Sequence, residues 1–291
     1  MKDDVIDNVI PIIKQDIEKV IIKYEYLKSG CYSDLFLAND IDNNNLLIKI
    51  YNDVGFAEKE YNNLTYLSEL NSKFMKPLYY KDDNHYKFMV TKFIDGITLN
   101  NVKNISIELK QNLVDTIKEL HSNTAKYFGG INTKNKYKIW DDYFVNRSQP
   151  ALKNAKILLE KHYIDEEEYK LLIYTLDNIK YFLEGNYAPV LLHGDLTPWN
   201  IIVNNDETRV EGIIDPFDVC YGDKDYDLFL LEKGKGKELG LLECFFEVED
   251  EKYKKKIALY SLWNEVKHYY YSKKKNDYSI KSYFEEVRKF L

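Results

Sequence analysis

Short apolar runs alternate with polar turns over residues 21–51. The runs IIKYEYL, LFLAND and LLIKIY are rich in β-branched and aromatic residues, and the segments KSGCYSD and IDNNN separate them. Apolar runs that are broken by Gly- and Asn-rich turns are typical of β-strands. The pattern therefore predicts an antiparallel meander near the start of the chain.

A helical period follows the meander. In GFAEKEYNNLTYLSEL the apolar residues Ala57, Tyr61, Leu64 and Leu67 are spaced by four, three and three positions, which is the repeat of one helix face. Two further strand-like runs, MKPLYY and HYKFMVTKF, are joined by the turn KDDN. Residues 21–94 are therefore predicted to form a five-stranded sheet with one inserted helix.

The pattern changes after Ile94. The polar connector DGITLNN is the candidate boundary between an N-terminal lobe, 1–94, and a C-terminal lobe, 95–291. Beyond it, SIELKQNLVDTIKELHS has an amphipathic helical period, with Ser106 as its candidate N-cap. Its apolar face consists of Leu109, Leu113, Ile117 and Leu120. Strand signals return only in PVLL, NIIV and VEGIID, so the elements predict an α+β fold with a mostly helical C-terminal lobe.

Composition and charge exclude several classes of function. The 291 residues carry a formal net charge of -7, and non-specific nucleic-acid binding needs a basic face instead. No apolar run reaches the roughly 18 residues that span a membrane, and the N-terminal MKDDVIDNVI has acids where a signal peptide has bases. The three cysteines, Cys31, Cys220 and Cys244, form no CxxC pair. The expected location is therefore a reducing cytoplasm.

The segment HGDLTPWN places polar residues between two strand-like runs. Asp195 and Asn200 lie five positions apart, and Asp215 follows Asn200 by fifteen, at the end of another apolar run. Carboxylate and amide oxygens suit Mg²⁺, which takes only one or two protein carboxylates when phosphates supply other ligands. Asp195 would then remain available as a base. Taken singly, Asp195 and Asn200 are also common turn formers.

An apolar strand carries a lysine that needs a partner. Lys49 lies within LLIKIY, and Glu60 lies eleven residues later on the predicted helix. A Lys–Glu pair of this kind can hold an ammonium group against phosphate oxygens. Lys49 alone could also be an edge-strand lysine whose head reaches water, and Glu58 is a competing partner. There is no GxxxxGK[ST] segment, so a P-loop NTPase is not supported.

Together these segments resemble a known enzyme superfamily. Lys49, Glu60, HGDLTPWN, IIDPFD and GDKDYDL are similar to the motifs of the aminoglycoside phosphotransferase and choline kinase-like superfamily, whose members are small-molecule kinases. The resemblance implies a bilobal protein-kinase-like fold, with ATP and Mg²⁺ as cofactors. HGDL and the proline after the metal aspartate also resemble the fructosamine kinase branch.

The resemblance also implies a role for each matching residue. Asp195 would be the catalytic base, Asn200 and Asp215 would hold Mg²⁺, and Lys49 would contact the phosphates while Glu60 positions it. The turn that contains Gly30 and Ser33 would cover the phosphates, and backbone groups of Lys92 and Ile94 would bond the adenine. His193 and Asp227 would brace the catalytic loop without reacting.

Three features depart from the superfamily pattern. The phosphate-covering turn is poor in glycine and carries Cys31 and Tyr32, and Pro216 and Phe217 follow the metal aspartate. Trp199 precedes the metal asparagine and is large enough to form a wall of the acceptor pocket, although a lone aromatic is equally typical of core packing. Further candidates for this pocket are Trp263, Tyr269, Asp218, Asp223 and Glu232. Acids there would suit a cationic amine, although each one taken alone is typical of a solvated surface charge.

The leading hypothesis is transfer of the γ-phosphate of ATP to a hydroxyl of a small molecule, either an amine-bearing compound or a sugar. A protein kinase acting on a polypeptide is an alternative, but the short segment between Asp215 and Asp227 leaves no room for a long activation segment. A nucleotide-binding pseudokinase that serves as an interaction module is a third hypothesis, and the complete set of polar residues argues against it.

Overall fold

The computed structural model describes residues 2–30, 32–185, 187–245, 251–272 and 280–291. Within them the helices are α1 (Lys2–Ile17), α2 (Phe56–Leu70), α3 (Ile107–Ser122), α4 (Trp140–Glu160), α5 (Glu166–Asp177), α6 (Ile179–Phe182), α7 (Asp225–Leu228), α8 (Glu251–Ser272) and α9 (Lys281–Arg288). The strands are β1 (Ile21–Ser29), β2 (Ser33–Asp40), β3 (Asn45–Tyr51), β4 (Tyr79–Asp82), β5 (Lys87–Lys92), β6 (Ile97–Thr98), β7 (Gly129–Gly130), β8 (Val190–Leu192), β9 (Ile201–Val203), β10 (Val210–Ile213) and β11 (Cys220–Gly222).

The chain forms two compact units. Unit 1 comprises Met1–Leu120 and Trp199–Phe217, and unit 2 comprises His121–Pro198 and Asp218–Leu291. Unit 1 therefore includes the residues of the predicted N-terminal lobe, residues 95–120, and the β9–β10 hairpin from much later in the chain. The boundary after Ile94 stays a prediction.

Unit 1 contains the predicted five-stranded sheet. Its strands are antiparallel in the order β1-β2-β3-β5-β4, so the prediction for residues 21–94 is confirmed. Because side chains alternate along a strand, one face buries Ile48 and Val90, while the other face buries Met89 with Ala57 and Leu64 of α2. The inserted helix thus covers one face of the sheet.

The opposite face of this sheet is covered by a helix that the sequence pattern did not predict. Ile6, Val9 and Ile13 of α1 are buried in one cluster with residues of β2, β3 and β5. Their spacing of three and four positions is helical. The pattern was missed because Pro11 lies inside the helix, and proline ordinarily interrupts a helical interior.

Unit 1 also contains a small sheet in the order β10-β9-β6. Gly96, at φ 146°, lies immediately before β6, and a Cβ there would come within 2.2 Å of the Val203 carbonyl oxygen. Only glycine allows this close approach of the backbone to β9. The predicted helix α3 follows, and the N–H of Leu109 donates to the Ser106 hydroxyl at 3.1 Å, which confirms the predicted cap.

Unit 2 is mostly helical. Its core joins residues of α4, α5, α8 and α9, among them Trp140, Leu172, Trp263 and Phe284. A small sheet in the order β7-β11-β8 supports the segment that leads into HGDLTPWN. No helix in the described ranges is both long enough and apolar enough to cross a membrane.

Candidate active site

Lys49 is held by Glu60 in the interior of unit 1. On β3, Lys49 points to the face that α2 covers, and only 5% of the residue is exposed. Its Nζ donates to Glu60 Oε1 at 2.6 Å and to Oε2 at 2.8 Å. The predicted pair is therefore present, and Lys49 is not an edge-strand lysine, since β3 lies between β2 and β5.

Helix α2 aims Glu60 at the sheet. Glu60 lies between the buried residues Ala57 and Leu64 on the same helical stripe, whereas the competing Glu58 is exposed. The Tyr51 hydroxyl also donates to Glu60 Oε2, at 2.7 Å. Tyr51 was not singled out from the sequence, although its position two residues after Lys49 places it on the same face of β3.

Asp215 completes a three-residue ion cluster with Lys49 and Glu60. Lys49 Nζ donates to Asp215 Oδ1 at 2.6 Å, and the Asp215 side chain is 45% exposed. Burial lowers the pKa of Lys49, but the attraction of Asp215 and Glu60 outweighs it and raises the pKa above the ordinary value. Lys49 is therefore a cation at neutral pH. Burial raises the pKa of Glu60, and the attraction of Lys49 opposes that rise.

The two predicted metal ligands lie on neighbouring segments of backbone. Ile201 of β9 pairs with Ile213 of β10, and just beyond this pair the N–H of Ile214 donates to the Asn200 carbonyl at 2.9 Å. Directly opposite residues in antiparallel strands lie about 5 Å apart. Asn200 and Asp215, adjacent to this hydrogen bond, are thus neighbours in unit 1.

This donor set fits a hard divalent cation that is shared with phosphates. In the part of the chain that the structure describes, no group of three or more His, Cys, Asp and Glu side chains could hold a metal ion by itself. Mg²⁺ does not require such a group, because it retains water and takes ligands from phosphates. The Asn200 amide oxygen and the partly exposed Asp215 carboxylate would supply the one or two protein oxygens that it needs.

The remaining predicted nucleotide contacts also lie in unit 1. The Gly30 N–H donates to the Ser33 carbonyl at 2.7 Å, which closes the turn between β1 and β2; Cys31 lies outside the described residues. Lys92 is the last residue of β5. The side chain of Ile94 packs against Gly212, where an added Cβ would lie 2.4 Å from Ile94 Cδ1. The adenine contacts of Lys92 and Ile94 stay a prediction.

In unit 2 the loop that carries Asp195 is tied to Asp227. The backbone N–H groups of His193 and Gly194 donate to Asp227 Oδ2 and Oδ1 at 2.7 and 2.8 Å. The Nε2 of His121 lies 3.3 Å from Oδ2, and the N–H of Asp195 reaches the Nδ1 of His193 at 3.3 Å. His193 and Asp227 are fully buried. These are the contacts that a bracing role requires.

Close packing at Gly194 restricts the same loop. Its φ is 79°, and an added Cβ would lie 2.6 Å from the backbone carbonyl of Asp218. A side chain would be strained both by the backbone angle and by this contact. The glycine of the HGD motif therefore brings the segment before Asp195 against the chain at Asp218.

Two of the acids proposed for the acceptor pocket, Asp218 and Asp223, already have cationic partners. Asp218 Oδ2 accepts hydrogen bonds from Lys267 and, at 3.4 Å, from Arg147. Asp223 is 3% exposed and lies 3.0 Å from Lys256 Nζ, so it is a buried, paired carboxylate and not a solvated surface charge. Glu232 is also partly buried, and burial raises its pKa.

The candidate aromatic walls differ in position. Trp263 is 3% exposed and its Nε1 donates to the Thr175 hydroxyl at 3.1 Å, so the structure places it in the core of unit 2. Trp199 is 48% exposed, which excludes core packing. The side chain of Tyr269 lies outside the described residues.

Two further residues contact the candidate site but were missed from the sequence. His121, at the end of α3, contacts Asp227, and Arg147 of α4 contacts Asp218 and lies 4.4 Å from the ring centroid of Tyr226. Both partners are more than seventy positions away along the chain, so neither helical nor strand periodicity carries a signal for these contacts.

Comparison with known proteins places these residues in a family context. The family model for the phosphotransferase enzyme family matches residues 23–232. No curated protein matches the chain. A solved structure from Thermobifida fusca YX-ER1, provisionally assigned as a fructosamine-3-kinase, is 15% identical with a TM-score of 0.73, over 98% of this chain and 99% of that chain.

Two aminoglycoside phosphotransferase structures are also similar. A thermostable mutant of APH(4)-Ia, solved with AMP-PNP and hygromycin B, is 14% identical with a TM-score of 0.66, over 97% of this chain and 95% of that one. APH(2″)-IIIa in its GDP and kanamycin complex is 16% identical with a TM-score of 0.62, over 98% of both chains. At these identities the likeness concerns the fold, and it confirms the predicted α+β protein-kinase-like class.

Proposed function

The chain belongs to the phosphotransferase enzyme family, and we propose on this premise that it transfers the γ-phosphate of ATP to a hydroxyl of a small molecule with the help of Mg²⁺. The observation that carries the proposal is the buried Lys49, held by both oxygens of Glu60 and by Asp215. A buried ammonium group between two carboxylates is an expensive arrangement for stability alone. It is the arrangement that phosphoryl-transfer enzymes use to hold phosphates.

Each residue of the cluster has a role in this reaction. Lys49 binds the phosphates of ATP, and Glu60 and Tyr51 hold it in place. Asn200 and Asp215 would hold Mg²⁺, which supplies neutralisation of phosphate charge when bound. Asp195 orients the acceptor hydroxyl and receives its proton. Because little covalent chemistry is required of the protein, alignment of the hydroxyl and electrostatics account for the rate.

The region before Ile94 is proposed as the nucleotide-binding lobe and the region after it as the catalytic and acceptor-binding lobe. The names of similar structures support a small-molecule acceptor, because hygromycin B and kanamycin were bound in two of them. Their nucleotides, AMP-PNP and GDP, support a nucleoside triphosphate as donor. An ATP-dependent enzyme with no paired cysteine motif is expected to act in the cytoplasm.

A coupled ADP-release assay tests the proposal. Amines, aminoglycosides, sugars and glycated amines are offered as acceptors beside a peptide array, and the phosphorylated product is identified by mass spectrometry. We expect a small-molecule product. A product found only on peptides would show a protein kinase, and ATP binding without any product would favour a pseudokinase.

Substitution of the proposed base tests the mechanism. Asp195→Ala should lower turnover by roughly 10²- to 10⁴-fold, the usual contribution of general-base catalysis. Asp206→Ala is the matched control, because Asp206 is an exposed residue of the turn between β9 and β10. Wild-type turnover of Asp195→Ala would remove the base assignment.

A further inference from the structure

The backbone at Asp215 is held in an unfavourable conformation. Its φ is 58°, in the left-handed region that residues with a Cβ rarely adopt. The next residue is Pro216, and a residue before proline ordinarily adopts an extended conformation. Asp215 would therefore relax to another conformation unless neighbouring groups hold the segment in place.

The side chain of Asn63 holds the two residues after Asp215. Asn63 is 4% exposed, and its Nδ2 donates to the carbonyl oxygens of Pro216 and Phe217 at 3.0 and 3.2 Å. An amide nitrogen has two hydrogens to donate, so both bonds can form together. Few residue types could make this contact, because hydrophobic side chains have no donor and a carboxylate would repel the carbonyls.

Asn63 lies three residues after Glu60 on α2, on the same face of the helix. The helix therefore reaches this segment in two ways. Glu60 fixes the Asp215 carboxylate through Lys49, and Asn63 fixes the backbone that follows it. Together these contacts hold the Asp215 side chain and the backbone of the two residues that follow it.

Aromatic rings add a third contact to the same segment. The Phe217 ring stacks on Tyr32 at a centroid distance of 5.7 Å and an interplanar angle of 17°, and Tyr32 stacks on Phe56 of α2 at 4.9 Å. Lys59 Nζ lies 3.9 Å from the Phe217 ring centroid. The turn between β1 and β2, the start of α2 and the segment after Asp215 are thus packed together.

We propose that Asn63 is a positioning residue for the metal site, holding Pro216 and Phe217 so that Asp215 keeps its strained conformation beside Lys49 and Asn200. The inference rests on the proposed function, because it takes Asp215 to be a metal ligand. Residues that orient metal ligands without touching the metal affect metal affinity by about 10- to 100-fold when they are replaced. Loss of the Asn63 donor should have an effect of this size.

Direct measurement of metal binding tests this role without an acceptor. The full-length chain is saturated with AMP-PNP, and Mn²⁺ is titrated while the free ion is followed by electron paramagnetic resonance. Asn63→Leu removes both hydrogen bonds at similar side-chain volume, and we expect Mn²⁺ affinity to fall by about 10- to 100-fold. Asn62→Leu is the matched control, because Asn62 is the exposed neighbour on the same helix; its Mn²⁺ affinity should stay at the wild-type value.

A second readout separates positioning from general damage. The affinity for ADP in the presence of EDTA does not depend on a metal, so Asn63→Leu should leave it unchanged. Equal losses of ADP affinity and Mn²⁺ affinity would overturn the proposal, and so would wild-type Mn²⁺ affinity. If Asn63→Leu does not fold, Asn63→Ser, which keeps one donor, decides in the same way: weaker Mn²⁺ binding with unchanged ADP binding supports the proposal, and unchanged Mn²⁺ binding overturns it.

The titration also distinguishes failure of the inference from failure of the proposed function. Asp215→Asn removes the proposed ligand charge itself and should abolish Mn²⁺ binding. If Asp215→Asn binds Mn²⁺ as the wild type does, the metal assignment is wrong and the role of Asn63 is overturned with it. If Asp215→Asn loses Mn²⁺ while Asn63→Leu retains it, only the role of Asn63 is overturned.

Discussion

Replacement of Asp227 by asparagine tests whether this buried carboxylate holds the catalytic loop. Each of its oxygens accepts one backbone N–H, from His193 at 2.7 Å and from Gly194 at 2.8 Å. Asparagine has nearly the same shape, but one of its two terminal atoms is an NH₂ group. That group would face a backbone N–H, so a donor would oppose a donor in a fully buried site.

The expected effect follows from the contacts that change. A hydrogen bond to a charged group contributes about 1.5–3 kcal/mol, and a buried polar group left without a partner costs about 1–3 kcal/mol. The second oxygen retains its N–H, although without the full charge. Asp227→Asn should therefore lower the free energy of unfolding by about 3 kcal/mol, a large fraction of the usual 5–15 kcal/mol.

Urea denaturation of the wild type, Asp227→Asn and the control Asp206→Asn measures this effect. Asp206 lies in an exposed turn, so the same chemical change there should stay within about 0.5 kcal/mol of the wild type. Turnover of Asp227→Asn should also fall, because its loop carries Asp195. A change in unfolding free energy below 0.5 kcal/mol, with unchanged turnover, would refute the bracing role.

Two further predictions concern the backbone and the pH dependence of stability. Gly194→Ala should lower the unfolding free energy by about 2–3 kcal/mol, because the added Cβ would lie 2.6 Å from the Asp218 backbone. Gly55→Ala is the control: Gly55 has φ 92° and nothing within 4 Å of an added Cβ, so it measures the cost of the backbone angle alone. Equal losses of unfolding free energy in the two variants would show that the contact with Asp218 has no effect. Burial raises the pKa of Asp40, but hydrogen bonds from Asn44 outweigh it and lower the pKa to about 2. The stability that this depressed pKa contributes is present above the unfolded pKa near 4 and is lost as the pH falls to 2. The difference in unfolding free energy between the wild type and Asp40→Asn, measured by urea denaturation, should therefore shrink by about 1–2 kcal/mol across that range. A difference that stays constant with pH would contradict this prediction.

Local periodicity predicted the elements of the fold that repeat regularly. The alternation in β1, β2 and β3 and the four-three-three spacing in α2 gave correct strands and a correct helix. Helix α1 has an equally regular stripe of buried residues, but it contains Pro11, and a proline at an interior position argues against a helix. Its place on the sheet depends on contacts with β2, β3 and β5, which no window of sequence contains.

Parts of the candidate site could be predicted because each of the two residues in a contact stands in a recognisable local sequence pattern. A lysine in an apolar strand requires a partner, and Glu60 lies on the inward face of the next helix. The contact between Lys49 and Asp215 spans 166 positions, so the sequence indicated both residues without indicating that they touch. The same limit applies to Asp218 and Asp223, whose partners Arg147, Lys267 and Lys256 come from α4 and α8.

The charge pairing in unit 2 changes what an acceptor must supply. Acids such as Asp218 and Asp223 suit a cationic amine when no partner is present. In the folded chain, Lys267 and Arg147 contact Asp218, and Lys256 contacts Asp223. A cationic acceptor would have to displace a cation that the protein already provides, and such a displacement gains little net Coulomb energy. If the acceptor is an amine, its recognition should therefore depend on other groups, and neutralising Asp218 should alter folding before it alters the choice of acceptor.

Two departures from the family pattern explain one another in the structure. The turn between β1 and β2 is poor in glycine and carries Tyr32, and Pro216 and Phe217 follow the proposed metal aspartate. The rings of Tyr32 and Phe217 stack at 5.7 Å, so the turn gains an aromatic contact where it lacks glycine flexibility. A glycine-rich turn can adapt freely to phosphates, whereas this turn is packed against the segment that carries Asp215. Tyr32 therefore holds Phe217 by a ring contact that does not involve Asn63.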